Sequence, residues 1–443
     1  MGSESNARGS MSILFLVVLI DMIGFTLVIP FLTYFIQDLA HGDGFTDIGT
    51  RDRWVGIVLA AYTFGQFIFT PILGTLSDSV GRRPIILFGL ISNTIFLISF
   101  GLSGSLWFAL LVRFLAGAGN GNIAVARAYV GDISTPEQTA GRMGLIGAAF
   151  GLGFMIGPFI GGVLTDPATS FGGFFDTEWW KSHPYFLPCL FAGSLSATSF
   201  VFALRYLPES LPLQSRTVID SNAPKGFKRV LNNLLGVRDL NPQIRTLILV
   251  NALFLLSFTM MHATFILFTG MEIVNGGLGY DAYQNGLIFA YVGLIGVIVQ
   301  GGLIRPLVRR YNPRHLMVMG IFICGIGLGW IPYLEPTPFA IGLVAMTCIA
   351  VGNGLFQPTQ NTLITFEARF QQLDLGRVMG AQEGFGALSR VIGPVFAAFV
   401  WAETVDGTGF WTYHTVFRIC AIIMAFAIIA QIRMKLSMNS EEE

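Results

Sequence analysis

The sequence predicts an all-α polytopic membrane protein with twelve transmembrane helices in two parallel six-helix repeats. Three observations predict it: a low content of charge, a regular series of long apolar segments, and internal repetition. Of the 443 residues, 53% are hydrophobic and only 12% are charged. Soluble domains carry roughly 25% charged residues. The composition therefore excludes a chain that covers its surface with water-soluble side chains.

The apolar segments have the length that a bilayer requires. A helix that crosses a hydrocarbon core of about 30 Å needs roughly 20 mostly apolar residues. Twelve segments meet this requirement, and we number them as spans 1 to 12 in chain order: 11–37, 53–79, 84–103, 105–132, 141–165, 184–206, 243–270, 282–309, 314–334, 337–366, 377–402 and 411–435. Several are longer than the minimum, which predicts tilted helices or helices that extend beyond the bilayer.

The loop charges predict how these spans are oriented. Lysine and arginine collect on the cytoplasmic side of membrane proteins. Most of the 26 basic residues fall on the side of both termini, whereas the opposite loops carry acids such as Asp43, Asp47 and Asp166. We therefore expect both termini in the cytoplasm.

One inner loop differs from the others and predicts the domain boundary. Residues 207–242 are polar and contain Lys225, Lys228, Arg229 and Arg238. This segment divides the spans into six and six. The predicted organisation is an N-terminal half at 1–206, a cytoplasmic linker at 207–242 and a C-terminal half at 243–443.

The two halves repeat each other. Four matches occur in the same order at a nearly constant offset: Gly74–Arg83 with Gly301–Arg310, Gly119-Asn120-Gly121 with Gly352-Asn353-Gly354, Gly141-Arg142 with Gly376-Arg377, and Gly157-Pro158 with Gly393-Pro394. Internal repetition is evidence about architecture that precedes any other fold argument. Two parallel six-span repeats, related by an axis along the membrane normal, are one plan of secondary transporters.

The hairpin between spans 2 and 3 concentrates charge in an otherwise apolar region. It reads GTLSDSVGRRP over residues 74–84. We expect Gly74 and Gly81 to permit close helix approach and a tight turn, with Pro84 in the first turn of span 3.

Charged partners for this hairpin lie beyond span 4. Arg82 and Arg83 can meet Asp132 and Glu137, and such a cluster would hold the inner side shut. The alternative is that the two arginines only follow the positive-inside rule. That alternative leaves Asp78 and the glycine spacing without a role.

Ionisable residues inside the spans are the candidates for proton coupling, because charge within a membrane is costly and usually functional. Asp21 lies near the middle of span 1, and Arg113 lies within span 4. If the two approach each other, Asp21 is a proton carrier or a site for a cationic substrate; the alternative is a static pair that positions two helices. Three further residues complete the candidate set: His262, Glu383 and Arg390.

Uncharged polar and aromatic residues on the spans, together with one arginine, are candidates for substrate contact. The predicted polar contacts are Asn120, Asn122, Arg127, Gln357, Gln360 and Asn361. Aromatic side chains suited to flat organic molecules include Phe25, Tyr62, Phe265 and Tyr291.

Span 5 is rich in glycine, which predicts close packing against another helix. Its glycines include Gly147 and Gly161, and span 8 offers Gly286, Gly293, Gly296 and Gly301 as a counterpart. A tight interface of this kind would block ion leak through an empty carrier. The alternative is the generic small-residue packing of membrane helices.

Four segments together resemble the major facilitator superfamily, and within it the twelve-span drug:proton antiporters typified by tetracycline-efflux proteins. The segments are Asp21–Pro30, Gly74–Pro84, Arg113–Gly119 and Gly151–Gly162. The resemblance implies the major facilitator fold, with spans 1 and 4 lining a central cavity. It also implies an inner gating latch and an antiporter motif. The implied latch residues are Gly74, Asp78, Gly81, Arg82, Arg83, Asp132, Arg142 and Arg377, and the implied antiporter residues are Gly151, Gly153, Gly157, Pro158, Gly161 and Gly162.

The function expected from residues and resemblance together is proton-coupled drug efflux of small lipophilic organic compounds by alternating access. The alternative is a proton-coupled importer or a uniporter of another small solute: a sugar, an organic acid or a siderophore. Arg127 stands about where the tetracycline exporters carry small residues, so anionic or zwitterionic compounds become as plausible as cations.

Other classes of protein lack support in the sequence. No HExxH, Walker A or Ser-His-Asp pattern occurs, which argues against an enzyme. We expect no cofactor beyond the proton gradient and no nucleic-acid partner. The expected partners are an organic substrate, protons and the lipid bilayer, and the expected state is a monomer in a prokaryotic inner membrane.

Overall fold

The computed structural model describes residues 2–134, 136–211, 236–334, 339–373 and 375–433, and every regular element within these ranges is helical. The twelve spans are Gly2–Leu27 with Ile29–Gly42, Ile48–Val80, Arg82–Gly101, Leu106–Gly119 with Asn122–Ile133, Pro136–Leu164, Phe186–Tyr206, Pro242–Gly270, Ala282–Ile298 continuing through a π-helix at Val299–Leu303 to Ile304–Arg310, Pro313–Trp330, Phe339–Phe370, Leu375–Thr404 and His414–Arg433. Short helices at Pro167–Phe171 and Glu178–Ser182 lie between spans 5 and 6.

The predicted number of spans is confirmed. Within the described ranges, eleven helices are long and apolar enough to cross a membrane, and a bent pair in span 1 makes the twelfth. The two helices of that pair meet at 42° beside Val28. Pro30 stands in the first turn of the second helix, where proline is tolerated because its missing N–H would have no helical partner. The chain is therefore a multi-pass membrane protein.

The described residues group into two compact units whose borders differ from those of the sequence halves. The first comprises the described parts of Met1–Gly44, Ala61–Arg229 and Asp281–Ala290. The second comprises those of Phe45–Ala60, Val230–Tyr280 and Tyr291–Glu443. The division at 1–206 and 243–443 stays a prediction. Most of the predicted linker, residues 212–235, lies outside the described residues.

Helix pairing is the same in both repeats. In the first unit, span 1 packs against spans 5 and 6, and span 3 packs against span 6. In the second, span 7 packs against spans 11 and 12, and span 9 packs against span 12. The internal repetition of the sequence is thus also a repetition of tertiary contacts.

The repeat extends to individual hydrogen bonds between spans. Thr26 Oγ1 of span 1 donates to Gly153 O of span 5 at 2.9 Å. Thr259 Oγ1 of span 7 donates to Ser389 O of span 11 at 3.2 Å. Each repeat therefore ties its first helix to its fifth through a threonine hydroxyl.

A glycine lies against each of these hydroxyls. A Cβ on Gly157 of span 5 would lie 2.0 Å from Thr26 Oγ1. A Cβ on Gly393 of span 11 would lie 2.2 Å from Thr259 Oγ1. Both distances are too short for real atoms, so the close approach of the two helices requires glycine at both positions.

The glycine face of span 5 packs mainly against span 1, a partner that the sequence did not predict, and also against the start of span 8. A Cβ on Gly153 would lie 2.5 Å from Met22 Cβ, and one on Gly161 would lie 2.0 Å from Leu27 O. The motif glycines therefore bring spans 1 and 5 into close contact.

Span 8 has a smaller part in this packing than the sequence suggested. It approaches span 5 closely at Gly162, where a Cβ would lie 3.3 Å from Gly286 Cα. Gly296 and Gly301, the next candidates on span 8, have open space around them. Within the first unit, the predicted glycine contact between spans 5 and 8 is thus present at Gly162 and Gly286.

Replacing Gly157 with alanine is expected to destabilise the protein. The added methyl collides with Thr26 Oγ1 and lies 2.8 Å from Ile23 O, so span 5 has to move away from span 1. Overpacking of this kind costs about 1–3 kcal/mol. Gly147→Ala on the same helix is the matched control, because nothing lies within 4 Å of its Cβ position. Thermal unfolding in detergent should show a lower midpoint for Gly157→Ala alone; equal midpoints would contradict the packing described here.

Candidate functional site

The turn between spans 2 and 3 depends on one glycine. Gly81 has φ +119°, a conformation that side chains rarely adopt, and its N–H donates to Ser77 O at 3.1 Å. This confirms the tight turn expected at Gly81. Gly74 has no described atom within 4 Å of a Cβ position, and its role in helix approach stays a prediction.

Arg82 is the centre of a charged cluster on this side of the first unit. Its Nη1 lies 2.5 Å from Asp78 Oδ1 and donates to Ser77 Oγ at 2.7 Å. Its Nε lies 3.1 Å from Asp132 Oδ2 at the end of span 4. Although it is a charged residue, Arg82 is only 9% exposed. The predicted pairing of Arg82 with Asp132 is present, and we call Arg82, Asp78 and Asp132 the Arg82 cluster.

Glu209, which no sequence pattern singles out, caps span 3. Its carboxylate accepts from the backbone N–H groups of Arg82 at 2.8 Å and Arg83 at 3.3 Å. The first N–H groups of a helix have no helical partner, and a carboxylate there also meets the positive end of the helix dipole. Ser210 Oγ in turn donates to Asp132 Oδ2 at 2.8 Å. The start of the predicted linker is therefore bound to the Arg82 cluster.

The other arginines of the predicted latch have different partners. Arg83 Nη2 donates to Leu204 O rather than to Asp132. Arg142 Nη1 donates to Ile133 O at 2.6 Å and to Ser134 Oγ at 3.2 Å.

Two predicted latch contacts lie elsewhere in the chain. In the second unit, Arg377 Nη2 lies 3.4 Å from Asp239 Oδ2. The side chain of Glu137, a predicted partner of the hairpin, lies outside the described residues. The latch as a gate stays a prediction.

Asp21 is a buried carboxylate held by two amides. It is 2% exposed, and its Oδ1 accepts from Asn93 Nδ2 of span 3 and, at 3.5 Å, from Asn122 Nδ2 of span 4. Its Oδ2 is buried without a hydrogen-bond partner among the described residues. Asn93 was missed in the sequence because a single amide in an apolar span has no distinctive spacing.

The predicted approach of Arg113 to Asp21 does not produce an ion pair. In the part of the chain that the structure describes, no bond joins the two side chains. The Arg113 guanidinium instead lies over the rings of Tyr62 and Phe100, at 4.7 and 5.3 Å from their centroids. Arg113 is 5% exposed, and its Nε has no hydrogen-bond partner within the described ranges. Two aromatic faces therefore stabilise this cation through cation–π contacts, where a carboxylate was expected.

Two of the four aromatic candidates, Phe25 and Tyr62, contact each other in this region. The rings of Phe25 and Tyr62 lie 5.2 Å apart. Tyr62 Oη accepts from Asn120 Nδ2 at 2.6 Å. Two groups of polar side chains thus lie in this region: Asn93 and Asn122 contact Asp21, and Asn120 and Arg113 contact Tyr62. We call the two groups together the Asp21 cluster, and its members are Asp21, Tyr62, Asn93, Arg113, Asn120 and Asn122.

The charged candidates of the second unit do not form a comparable group. Glu383 and Arg390, both on span 11, form an ion pair with each other at 3.6 Å, and both side chains are partly exposed. His262 is half-buried, its ring 6.4 Å from that of Phe258.

The amide candidates of span 10 contact other helices of the same unit. Gln360 Nε2 donates to Leu247 O at 2.8 Å. Asn361 Oδ1 accepts from Gln382 Nε2 at 3.0 Å. Both side chains thus have a structural partner, and a role in substrate contact stays a prediction.

Three further predicted residues differ in exposure. Arg127 is exposed and lies over the Phe150 ring at 6.0 Å, Gln357 is half-buried on span 10, and Gly151 is half-buried on span 5. Substrate contact by any of the polar candidates stays a prediction. Of all the candidates, the Asp21 cluster is the group that brings ionisable and polar side chains together in a buried setting.

Arg82→Gln is expected to destabilise the protein more than Arg83→Gln. The first change removes a buried guanidinium with three side-chain partners, and hydrogen bonds to charged groups contribute roughly 1.5–3 kcal/mol each. The second removes one side-chain bond to a carbonyl and leaves the Glu209 cap in place. Thermal unfolding of the two adjacent variants measures the difference. A larger loss for Arg83→Gln would show that Arg82 is not the centre of the cluster.

The chain is similar to known transporters over most of its length. It is 30% identical over 309 residues to the probable peptide/nitrate transporter At3g43790 of Arabidopsis thaliana, a match that covers 67% of this chain and 62% of that protein. It is 23% identical to the class H tetracycline resistance protein of Pasteurella multocida, over 94% of this chain and 96% of that protein.

The fold matches that of a solved transporter, and the sequence matches the model of a protein family. The crystal structure of the human organic anion transporter MFSD10 superposes with a TM-score of 0.68 at 23% identity, covering 96% of this chain and 99% of that one. The family model of the Major Facilitator Superfamily matches residues 14–394. With twelve spans, repeated helix contacts and this match, the chain belongs to the Major Facilitator Superfamily and is a transporter rather than an enzyme.

Proposed function

We propose that this transporter exports small lipophilic organic compounds in exchange for protons, with Asp21 as the proton-binding residue. The observation that carries the proposal is the buried Asp21 carboxylate with one oxygen unpartnered among the described residues. A carboxylate inside a membrane protein is expensive as an ion and inexpensive once protonated. Such a group takes up and releases a proton when its access to water changes.

The substrate class follows from the chemistry around this carboxylate. A cationic or hydrogen-bonding compound that binds near Asp21 stabilises its ionised form, whereas a proton neutralises it. Substrate and proton then compete for one site, and competition at a site with alternating access gives exchange. The similarity to a tetracycline resistance protein supports efflux, and the aromatic pair of Phe25 and Tyr62 suits a flat organic molecule.

Arg113 favours the alternative, an importer of an organic acid. The Nε of this buried cation has no hydrogen-bond partner in the described part of the chain, so a substrate carboxylate could bind to it. An anion bound there and a proton on Asp21 favour each other electrostatically, since each removes unfavourable charge. Cooperative binding of the two at one site gives co-transport. The direction of coupled proton movement therefore separates the two functions.

The remaining parts of the proposal concern the setting of the protein. Both termini lie in the cytoplasm, the membrane is a prokaryotic inner membrane, and the monomer is the working unit. No cofactor takes part, because the proton gradient supplies the driving force. The Arg82 cluster closes the inner side and opens when the cavity faces the cytoplasm.

Asp21→Asn is expected to abolish coupled proton movement by the purified protein in liposomes. A panel of lipophilic cations, zwitterions and carboxylates is added, and the internal pH is followed with a trapped dye. The wild type should move protons opposite to one compound, and Asp21→Asn should lose that movement because an amide cannot exchange the proton. Glu383→Gln is the matched control and should retain most of the rate, since Glu383 is exposed and paired with Arg390.

Two other outcomes of this experiment would contradict the proposal. Protons that move together with a carboxylate would replace the exporter by the importer of organic acids. Undiminished coupling in Asp21→Asn would remove Asp21 as the proton site.

A further inference from the structure

Two buried serines of span 6 differ from the other hydroxyl residues of that helix. The side chains of Ser196 and Ser199 are fully buried, and their Oγ atoms have no hydrogen-bond partner among the described residues. On the exposed side of the same helix, Ser194 Oγ and Thr198 Oγ1 each donate to the carbonyl four residues earlier, at 2.7 and 2.8 Å. Hydroxyls within a helix often satisfy themselves in this way. The two buried hydroxyls do not, so each is able to bind another group.

Spans 1, 3 and 6 of the first unit meet at Gly24. A Cβ on this glycine would lie 3.5 Å from Leu97 Cδ1 of span 3 and 3.8 Å from Ser196 Oγ of span 6. Both distances are ordinary van der Waals contacts. The three helices are therefore packed directly against one another at this level.

Span 6 runs antiparallel to span 3. A Cβ on Gly193 would lie 2.7 Å from Ile98 Cγ1, and a Cβ on Gly101 would lie 2.6 Å from Cys189 Cβ. Between these two contacts the residue numbers rise along span 3 and fall along span 6. The two helices therefore have opposite directions.

Span 1 runs parallel to span 3. Gly24 contacts Leu97, and one turn earlier in both helices Asp21 accepts a hydrogen bond from Asn93. The two contacts follow each other in the same order along both helices. Span 1 is therefore antiparallel to span 6.

The same step of one turn places Ser199 opposite Asp21. Gly24 lies at Ser196, and one turn toward the start of span 1 reaches Asp21. In the antiparallel span 6 the corresponding turn reaches Ser199. Residues three apart lie on the same face of a helix, so both side chains face the contact between spans 1 and 6.

The unpartnered atoms of Asp21 and Ser199 complement each other. Asp21 Oδ1 accepts from Asn93 and, at 3.5 Å, from Asn122, whereas Oδ2 has no hydrogen-bond partner among the described residues. Amide donors suit an ionised carboxylate, which only accepts, but a protonated carboxyl carries an O–H that needs an acceptor. A buried donor without an acceptor is costly. Ser199 Oγ is an acceptor at the level of this carboxyl.

We propose that Ser199 is a positioning residue that accepts a hydrogen bond from the protonated oxygen of Asp21. A proton that arrives from water binds to Oδ2, and the new Oδ2–H donates to Ser199 Oγ. The hydroxyl hydrogen of Ser199 then turns to the carbonyl four residues earlier in its own helix. The ionised carboxylate is thus bound to spans 3 and 4, and the protonated carboxyl is bound to span 6 as well. The inference rests on the proposed role of Asp21 as the proton site.

Ser196 is the matched comparison for Ser199. It lies on the same helix, is equally buried and has an Oγ that is likewise unpartnered within the described ranges. It lies at Gly24, which has no side chain to bind, whereas Ser199 lies at Asp21. An effect of both serines would come from the burial of a hydroxyl in span 6, and an effect of Ser199 alone would come from Asp21.

The charged and titratable groups around Asp21 keep their state between pH 5 and pH 8. Tyr62 of span 2 interacts electrostatically with Asp21 and with Arg113 of span 4, and tyrosine and arginine titrate well above this range. Arg127, on the second helix of span 4, lies over Phe150 instead. Spans 3 and 4 face the carboxylate with amides, span 5 packs on span 1 with its glycines, and span 6 presents hydroxyls. A change in this pH range is therefore assigned to Asp21 itself.

The test is an infrared difference spectrum of the full chain in liposomes between pH 8 and pH 5, recorded without substrate. The carbonyl band that Asp21→Asn removes is the band of protonated Asp21. In Ser199→Ala this band should move to higher wavenumber, because a carboxyl that donates no hydrogen bond has a stiffer C=O bond. Ser199→Thr keeps a hydroxyl at this position and should leave the band where it is in the wild type.

The comparison variant decides whether the effect belongs to Ser199. Ser196→Ala should leave the Asp21 band in place. A band that does not move in Ser199→Ala, or that moves equally in Ser196→Ala, overturns the inference.

Failure of this inference and failure of the proposed function give different results. If the Asp21 band is present and does not move in Ser199→Ala, the role of Ser199 is wrong and the proposed function stands. If the band moves in Ser199→Ala and no compound moves protons in liposomes, the role of Ser199 stands and exchange is wrong. The absence of any band that depends on Asp21 overturns both.

Discussion

The cost of ionising one buried carboxylate, Asp21, constrains the N-terminal half of this transporter. Asp21 is removed from water in span 1, and ionisation there is tolerated only because Asn93 and Asn122 donate to one of its oxygens. The two amides come from spans 3 and 4, so their hydrogen bonds to Asp21 connect three helices. Protonation of Asp21 or binding of a substrate changes this charge, and therefore changes the strength of the hydrogen bonds that connect those helices.

The second helix of span 4 lies between two charged groups of the first unit. The interruption at Asn120 and Gly121 divides span 4 into two helices, and the second one ends at the Arg82 cluster. Glu209 caps the helix that Arg82 begins, so this cluster is itself fixed to the start of span 3. A transporter that alternates its access has to link its binding site to its closures. In this chain, Asn122 at the start of the second helix contacts Asp21, and Asp132 near its end contacts Arg82.

Composition and repetition were enough to predict the fold, whereas side-chain partners depend on helix rotation. The spans follow from hydropathy because every backbone group in a bilayer must be satisfied within a helix. Repeated motifs predicted repeated packing, and the hydroxyls of Thr26 and Thr259 repeat it in detail. Arg113 was expected near Asp21 and instead lies over aromatic rings, since sequence does not show which face of span 4 meets span 1. Asn93 carried no pattern that separates it from other polar residues, so only the packed structure shows that it reaches a charged group.

The most direct measurement of the central claim is an infrared difference spectrum of the reconstituted protein between high and low pH. A buried carboxyl that takes up a proton gains a carbonyl stretch distinct from the bands of the carboxylate. We expect this band in the wild type and in Glu383→Gln, and we expect it to be missing in Asp21→Asn. A band that persists in Asp21→Asn would mean that another carboxyl binds the proton, and Asp21 would not be the coupling site.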